Sequence, residues 1–326
     1  MKAVRHDVYG PPEVLRVEET EPPVPGEGEV LVQVHAAGVD PGVWHLTAGL
    51  PYLIRAAGFG LRAPKRRIRG LDVSGRVAAV GPGVTRFRPG DEVYGIADGS
   101  FAEYTCAKAA KLAHRPANLT HAQAATVPIS GATALRALRD AGRLKPGQTV
   151  LVIGAAGGVG SFAVQLAKAL GARVTAVCST GKADLVRALG ADQVIDYTRT
   201  DFTDGTHRHD LVLDIAGNRS LTLLRRTLNP RGTLVIVGGE NGGRWIGGND
   251  RQLRALLLSP FLRERLLGLL AKEQHADLDV LRELIEAGTV TPALDRTYPL
   301  TEVPAAVARL MAGQVRGKLA IQVRTD

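Results

Sequence analysis

Hydrophobic residues change their spacing partway along this chain, and the change divides it. Over the first ~118 residues apolar and polar positions alternate in short runs, the period of half-buried strands. Residues 30–35 and 72–80 alternate most clearly. Pro22, Pro23, Pro25 and Gly26 precede the first run, and Gly81, Pro82 and Gly83 follow the second. Residues 90–95 read as a turn into another strand, and 100–105 as one more. Between 50 and 69 no period emerges, which predicts a long surface loop. From Thr120, a plausible helix cap, the spacing turns helical, with a further helix predicted over 133–141.

The following stretch alternates strand with helix. Residues 150–153 form a short continuous apolar run, as expected of a parallel strand buried on both faces. Phe162, Val164, Leu166, Ala167 and Leu170 recur at helical spacing, and Gly171 supplies the stop. Further strands are predicted at 173–177, 193–195, 211–215 and 233–237. The pattern is that of an α/β protein with a Rossmann-type, doubly wound parallel sheet. Residues 250–271 are apolar and arginine-rich at helical spacing and predict helix packed on helix. An amphipathic helix over 278–287 and a strand over 318–323 close the chain.

The junction of the first parallel strand with its helix carries the most specific chemistry. Gly154, Gly157 and Gly160 are spaced G-x-x-G-x-x-G within Ala155-Ala156-Gly157-Gly158-Val159-Gly160. A lone glycine triplet is usually only a turn, but this one follows a strand and opens a helix. In that context glycine lets backbone amides approach a pyrophosphate, whose charge the helix N-terminus favours. Where NAD-specific folds end the second strand on Asp or Glu, this chain has Cys178, Ser179, Thr180, Gly181 and Lys182. A hydroxyl and an ammonium suit a 2′-phosphate, so NADPH is the expected cofactor. The plainer alternative for Lys182 alone is a solvated helix start.

Composition narrows the remaining choices. A length of 326 residues, 45% hydrophobic and 22% charged, suits two ordinary globular cores. No apolar run reaches the ~20 residues that span a bilayer, and no charged-then-apolar leader precedes Val4, so a cytoplasmic protein without a membrane partner is expected. Cys106 and Cys178 are too few for a disulfide framework or a cysteine-rich zinc site. The net charge of +9 comes mostly from scattered arginine, and nucleic acid is not an expected partner.

The joint pattern resembles the medium-chain dehydrogenase/reductase superfamily over essentially the whole chain. The resemblance rests on Pro22-Pro23-x-Pro25-x-x-Gly28-Glu29-Val30, Ala37-Gly38-Val39-Asp40, Gly70-Leu71-Asp72-Val73-Ser74-Gly75 and Val80-Gly81-x-Gly83-Val84. Gly90-Asp91-x-Val93, Gly131-x-Thr133-Ala134, the glycine loop, Leu189-Gly190-Ala191-Asp192 and Gly317-Lys318 complete it. It implies a β-rich GroES-like domain over 1–118, a dinucleotide domain over 119–260 and a return over 261–326 that completes the first.

Zinc-dependent members of that superfamily carry a catalytic Cys at the position of Asp40 and Gly-His-Glu at Gly70-Leu71-Asp72. Leu71 cannot ligate, and no metal is expected. The chain is thus most similar to the zinc-independent quinone oxidoreductase (ζ-crystallin-like) branch. That resemblance implies pyrophosphate contacts from Ala156 to Gly160, and Ser179 with Lys182 on the 2′-phosphate. It places Tyr197 near the adenine, Thr133 toward the nicotinamide, Val237 and Gly238 along the cofactor groove, and Lys318 as a basic cofactor contact. Plainer roles are an ordinary strand-end ring for Tyr197, a helix-start cap for Thr133 and a solvated strand start for Lys318. Asp40, Trp44, His45 and Tyr52 are the candidates for contact with the substrate. Without a Lewis acid, the acceptor must delocalise the incoming charge, as a quinone or other conjugated carbonyl does. An NADPH-dependent alkene reductase, or an NADPH-binding sensor with little turnover, is the alternative. A homodimer is also expected, with the strand at 233–237 and the glycine-rich residues 238–248 near the open edge of the sheet.

Overall fold

In the computed structural model, which describes residues 1–217, 219–239, 243–269 and 274–324, the chain divides into two units, Met1–Ala132 with Lys272–Asp326 and Thr133–Ala271. The first begins with the antiparallel ribbon β1 (Lys2–Arg5) and β2 (Arg16–Glu19). The alternating run becomes β3 (Glu29–Val39), whose Val30, Val32 and Val34 are all buried, because successive strand residues face opposite sides. Asp40 then leads into α1 (Pro41–Ala48).

Residues 50–69 are less irregular than their lack of period suggests. A short helical segment, α2 (Tyr52–Ile54), runs on as a π-turn over Arg55–Phe59. Arg55 holds it in place. Its guanidinium lies over the Tyr9 and Tyr52 rings at 4.3 and 4.9 Å, and its Nε donates to Gly49 O at 2.8 Å.

β4 (Asp72–Val80), β5 (Glu92–Ile96), β6 (Tyr104–Lys108) and β7 (Leu112–His114) follow. The strand expected at 100–105 starts later, since Phe101 O and Ala102 are engaged by β1 instead. Thr120 caps α3 (His121–Ala124) through a reciprocal capping box with Gln123. α4 (Pro128–Arg136) begins five residues before the helix predicted at 133, so Thr133 lies inside it and not at its start.

The second unit holds β8 (Thr149–Ile153), α5 (Gly158–Ala169), β9 (Arg173–Cys178), α6 (Ala183–Ala188), β10 (Gln193–Asp196), β11 (His209–Asp214), α7 (Leu221–Arg226), β12 (Leu228–Ile236), α8 (Asn249–Leu258) and β13 (Arg265–Gly268). Its six strands are all parallel and lie in the order β10-β9-β8-β11-β12-β13. Numbered within the unit, that is 3-2-1-4-5-6, the order of a dinucleotide-binding sheet. Leu151, Ile153, Val212, Leu234 and Ile236 form its core with Leu224 and Leu266.

Two expectations change here. The segment 250–271 is a helix followed by a strand, because Leu266 is buried in the sheet core beside Leu234. The edge strand is therefore β13 and not the strand at 233–237; residues 240–242 and 270–271 of the expected segments lie outside the described residues.

The chain returns to the first unit with α9 (His275–Glu286), β14 (Leu294–Pro299), α10 (Val303–Met311) and β15 (Lys318–Gln322). β15 pairs antiparallel with β3 and parallel with β14, giving the order β14-β15-β3-β4-β5-β7. Tyr94 Oη donates to Leu278 O at 2.6 Å, and Arg86 grips Asp279 with both carboxylate oxygens at 2.7 Å, fastening α9 to the rest of the unit. The unit boundaries fall at 132 and 271, later than the expected 118 and 260. At the first, α3 packs on β3, β4 and β15; at the second, β13 still belongs to the parallel sheet.

Candidate functional site

In the dinucleotide unit the predicted residues collect at the carboxyl ends of parallel strands. β8 ends at Ile153, just before Gly154, and Gly157 caps α5. The first-turn amides of Gly158, Val159 and Gly160 have no carbonyl four residues back inside the helix, so they are available to an anion. The two later glycines of the motif do different work. A Cβ on Gly160 would fall 2.2 Å from Gly154 O and 2.7 Å from Ala155 Cα, so this glycine is needed to fold the turn. A Cβ on Gly157 would approach nothing nearer than Gly154 O at 3.5 Å. Space is open there on the protein side.

At the end of β9, Ser179 is half-buried and its carbonyl accepts from Lys182 N at 3.0 Å. Tyr197 is exposed, and its amide donates to Cys178 O at 3.2 Å, which brings it to the same strand end. The fold also brings a carboxylate that the linear reading missed. Asp196, paired in register with Cys178, accepts from Thr180 Oγ1 and, at 2.7 and 3.0 Å, from Thr198 Oγ1 and N. Those hydrogen bonds, Thr180 first, hold its carboxyl below the usual range. It came into place through the β9–β10 register, which a motif count cannot supply. Val237 and Gly238 sit at the end of β12, both amides donating to Asp214 O, at 2.9 and 3.2 Å.

In the β-rich unit the decisive arrangement is a buried charge cluster. Asp40 stands at the N-cap of α1, where an aspartate ordinarily accepts from the helix's own amides. It makes no such bond. Its Oδ1 accepts instead from Lys318 Nζ and, at 3.1 Å, from Ser130 Oγ. Lys318 Nζ also reaches Ser130 Oγ at 3.2 Å and Asp72 Oδ2 at 3.4 Å, while Asp72 Oδ1 accepts from Ile129 N at 3.0 Å. Asp40 is 4% exposed, Lys318 2% and Asp72 not at all.

Burial, and then the neighbouring Asp40 charge, push the Asp72 carboxyl well above its usual range. For Asp40 burial acts upward, but Lys318 and a hydrogen bond from Asp72 outweigh it and hold the group low. Of the two carboxyls, Asp72 is therefore the one that resists ionisation, and Asp40, beside Lys318, the one that favours it. The Lys318 ammonium offsets the Asp40 carboxylate, which is what a charge buried away from water requires. The role expected of Lys318 is revised accordingly: its ammonium is buried and fully engaged within this unit.

The other candidates lie nearer the surface. Trp44 is half-buried against the core of Val39, Val43 and Val307 and stacks on His45 at 5.5 Å. His45 Nδ1 lies 3.0 Å from Leu50 O, and because a carbonyl only accepts, that nitrogen carries the proton. Tyr52 flanks Arg55. Leu71 lies beside α1, 3.4 Å from where a Cβ on Gly42 would be. Sequence reasoning did not find the line Ser74–His121–Glu92, with Oγ to Nδ1 at 2.8 Å and Nε2 to Oε2 at 2.7 Å. Ser74 is wholly buried, so the line is a strut of the sheet and reaches no substrate.

Comparison with known proteins agrees with this architecture. The alcohol dehydrogenase GroES-like domain family matches residues 26–117, and the zinc-binding dehydrogenase family matches residues 189–321. The mitochondrial NAD(P)H oxidoreductase RTN4IP1 of Mus musculus is 33% identical, over 97% of this chain and 88% of its own. The chain belongs to the medium-chain dehydrogenase/reductase superfamily. Within it, the 2-methylene-furan-3-one reductase of Solanum lycopersicum is 31% identical over 98% of this chain and 79% of its own. The Escherichia coli quinone oxidoreductase, solved in complex with NADPH, superposes with a TM-score of 0.84 at 26% identity, covering 99% of this chain and 100% of that one. The fold class, a Rossmann-type sheet with a GroES-like unit, is that of these oxidoreductases. Among the described residues no group of three or more His, Cys, Asp or Glu side chains is placed to hold a metal ion, and no helix is long and apolar enough to cross a membrane.

Proposed function

We propose that this protein transfers hydride from NADPH to a quinone or another conjugated carbonyl, and that it does so without zinc. The observation that carries the reading is the cradle at Gly157: open space, three unpaired helix amides, and a hydroxyl and an ammonium at the end of the neighbouring strand. The E. coli relative named a quinone oxidoreductase and solved with NADPH supports it. NADPH supplies the hydride when bound, and the overall step consumes one proton: acceptor, NADPH and H⁺ give reduced acceptor and NADP⁺.

The residues of this chain hold and orient. Amides from Gly158 to Gly160 take the pyrophosphate, and Ser179 with Lys182 the 2′-phosphate. Tyr197 lies along the adenine, and Thr133, Val237 and Gly238 border the nicotinamide. Trp44, His45 and Tyr52 are the acceptor-side contacts. A conjugated acceptor needs only orientation by these side chains, and solvent supplies the proton to the reduced acceptor. Steady-state oxidation of NADPH by p-benzoquinone, an enone and a saturated ketone tests the reading. Turnover is expected with the first two, an enone being the chemistry in the tomato relative's name. NADPH binding without oxidation by any of the three would leave a sensor, and sink the proposal.

Cofactor choice follows from charge. Asp196 lies near the 2′-phosphate position, but Thr180 and Thr198 engage both its oxygens, and Lys182 adds the opposite charge. Lys182→Ala is expected to weaken NADPH by about 10- to 100-fold, the worth of one charge-assisted hydrogen bond, and to leave NADH unchanged. Equal affinity of the parent protein for both cofactors, measured by fluorescence titration, would overturn this.

The donor set supports metal independence. Leu71 offers no ligand atom, Asp40 is already neutralised by Lys318, and burial pushes the Cys106 thiol up to about 11, away from the thiolate a metal needs. Activity is expected to survive exhaustive chelation. Stoichiometric zinc by elemental analysis, with activity lost on chelation and restored by zinc, would contradict it.

We further read the protein as a cytoplasmic homodimer joined across the open edge of β13. Sedimentation that finds only the 34.5 kDa chain at micromolar concentration would refute the dimer.

A further inference from the structure

The β-rich unit holds a cation that its own residues leave without a counter-charge. Arg69, just before β4, is 5% exposed. Its amide donates to Val4 O at 3.2 Å and its carbonyl accepts from Phe101 N at 2.9 Å, so the backbone that carries it is fixed. The Arg69 Nε is sealed from solvent and makes no hydrogen bond. Among the described residues no carboxylate pairs with the guanidinium and no oxygen accepts from it. Its terminal nitrogens are not sealed, and they end at the small opening that this exposure leaves. Two neighbours share the condition. His6 Nε2, on a buried ring, and Ser100 Oγ, on a residue wholly buried beside Gly70, have no partners either.

The charges around Arg69 do not balance it. Burial comes first and pushes the guanidinium down to about 10; Arg66 acts the same way, and Tyr9 against them. Burial and then Arg69 push the His6 imidazole down to about 4. Near neutral pH the site therefore holds one cation, a neutral imidazole and no anion. A buried cation ordinarily has a carboxylate beside it, as Lys318 has Asp40, because an unpaired one destabilises the fold. A charge kept at that cost points to a counter-charge that arrives with a ligand.

Position and charge identify the ligand. Tyr9, on which the charges of Arg55 and Arg69 both act, donates to Phe59 O and Gly60 O at 2.9 and 2.7 Å. It thus ties down the turn that follows Tyr52, an acceptor contact, and Arg55 lies over both rings. Residues 41–71 contain six Arg or Lys and no Asp or Glu, a segment of one sign that draws anions toward it. Arg66 and Arg67 find partners outside it, in Asp98 and Asp7. One uncompensated guanidinium balances one negative charge, and its planar fork matches a carboxylate.

We propose that Arg69 binds a carboxylate borne by the acceptor, which makes the substrate class that of acidic conjugated carbonyls, the 4-oxo-2-enoates among them. The inference rests on the hydride transfer proposed above. With such an acid the hydride adds to the carbon β to the ketone and the proton to the carbon α to it. 4-Oxo-2-pentenoate, NADPH and H⁺ then give 4-oxopentanoate and NADP⁺.

The test sets 4-oxo-2-pentenoate against its methyl ester, which keeps the conjugated ketone and removes the charge. The two differ in intrinsic reactivity, so the acid-to-ester ratio of kcat/KM is compared between the parent and Arg69→Met. The ratio should fall by about tenfold or more in the variant, through the KM of the acid, as a lost charge-assisted hydrogen bond requires. Arg69→Lys keeps the charge without the fork and should restore part of it. Calorimetric titration with 4-oxopentanoate, which needs no turnover, should show binding about tenfold or more tighter in the parent than in the methionine variant. Without ligand, Arg69→Met should melt at or above the parent temperature, because it removes an unpaired buried charge. A ratio and a 4-oxopentanoate affinity unchanged in Arg69→Met would overturn the proposal and leave hydride transfer standing. A variant melting well below the parent would also overturn it, by making Arg69 a structural residue. If neither acceptor oxidises NADPH, hydride transfer fails instead, and Arg69-dependent binding of 4-oxopentanoate would still uphold the carboxylate site.

Discussion

Replacing Lys318 by methionine is expected to destabilise the protein by about 3–5 kcal/mol, the cost of stranding a buried charge. Two carboxyls, Asp40 and Asp72, would then share a site closed to water with no cation between them. At the size of this unit the loss corresponds to a drop of roughly 6–20 °C in melting temperature. The pH dependence gives a sharper check than the magnitude. In the parent protein the Asp40 carboxyl is held low in the folded state, so its contribution is present above the unfolded value near 3.8 and is lost as pH falls through the folded one. In the methionine variant both carboxyls are raised. Their penalty is absent below about 4 and grows as pH rises, so the deficit should shrink on acidification.

Asp72→Asn provides the contrast. The Asp72 carboxyl is raised in the native state, so it makes stability fall as pH climbs from its unfolded value toward its folded one. Asparagine keeps an acceptor for Ile129 N and a donor for Asp40 without ever ionising. It should fold normally and lose that slope. Equal thermal stability of the Lys318→Met variant and the parent at neutral pH would show that the pair is not the buried cluster described.

How much of this was legible beforehand depends on whether the signal was local. The parallel strands, the glycine turn and the Thr120 cap were readable because each is fixed by residues within a few positions of one another. β13 was missed for a physical reason: Leu266 and Leu267 sit among arginines at a spacing that also fits a helix, and only pairing with β12 makes a strand of them. The return strand β15 was found, but not the use of its first residue. Lys318 is 278 positions from Asp40, and nothing in either neighbourhood announces the pair. Asp40 even stands where an aspartate usually caps a helix. The leucines of α8 gave a helical period, which was read correctly, but a period does not say which face looks outward. Their neighbour Ala255 decides that, by taking the core side.

The glycine turn gives the second large expectation, and its two glycines should part company. Gly160→Ala places a methyl 2.2 Å from Gly154 O, against backbone that has no room to yield. Contact at that distance forces the turn apart, so the variant should lose stability and cofactor together, with a lowered melting temperature even in the absence of NADPH. Gly157→Ala meets only ordinary contact, 3.5 Å from Gly154 O, and Gly157 has an extended backbone (φ −87°) that alanine adopts freely. Its fold should therefore be intact, with melting within about 1 kcal/mol of the parent, since N-cap glycine to alanine costs little beyond the cap preference itself. Yet the methyl would occupy the space where a pyrophosphate must approach the amides of Gly158 to Gly160. NADPH affinity should fall by about a hundredfold or more, the loss of two charge-assisted hydrogen bonds. The pair separates folding from binding, which neither variant does alone. Thermal melts with and without NADPH, beside a fluorescence titration, read both quantities. A Gly157→Ala protein that binds NADPH as the parent does would remove the phosphate from this turn, and with it the hydride donor from the reaction.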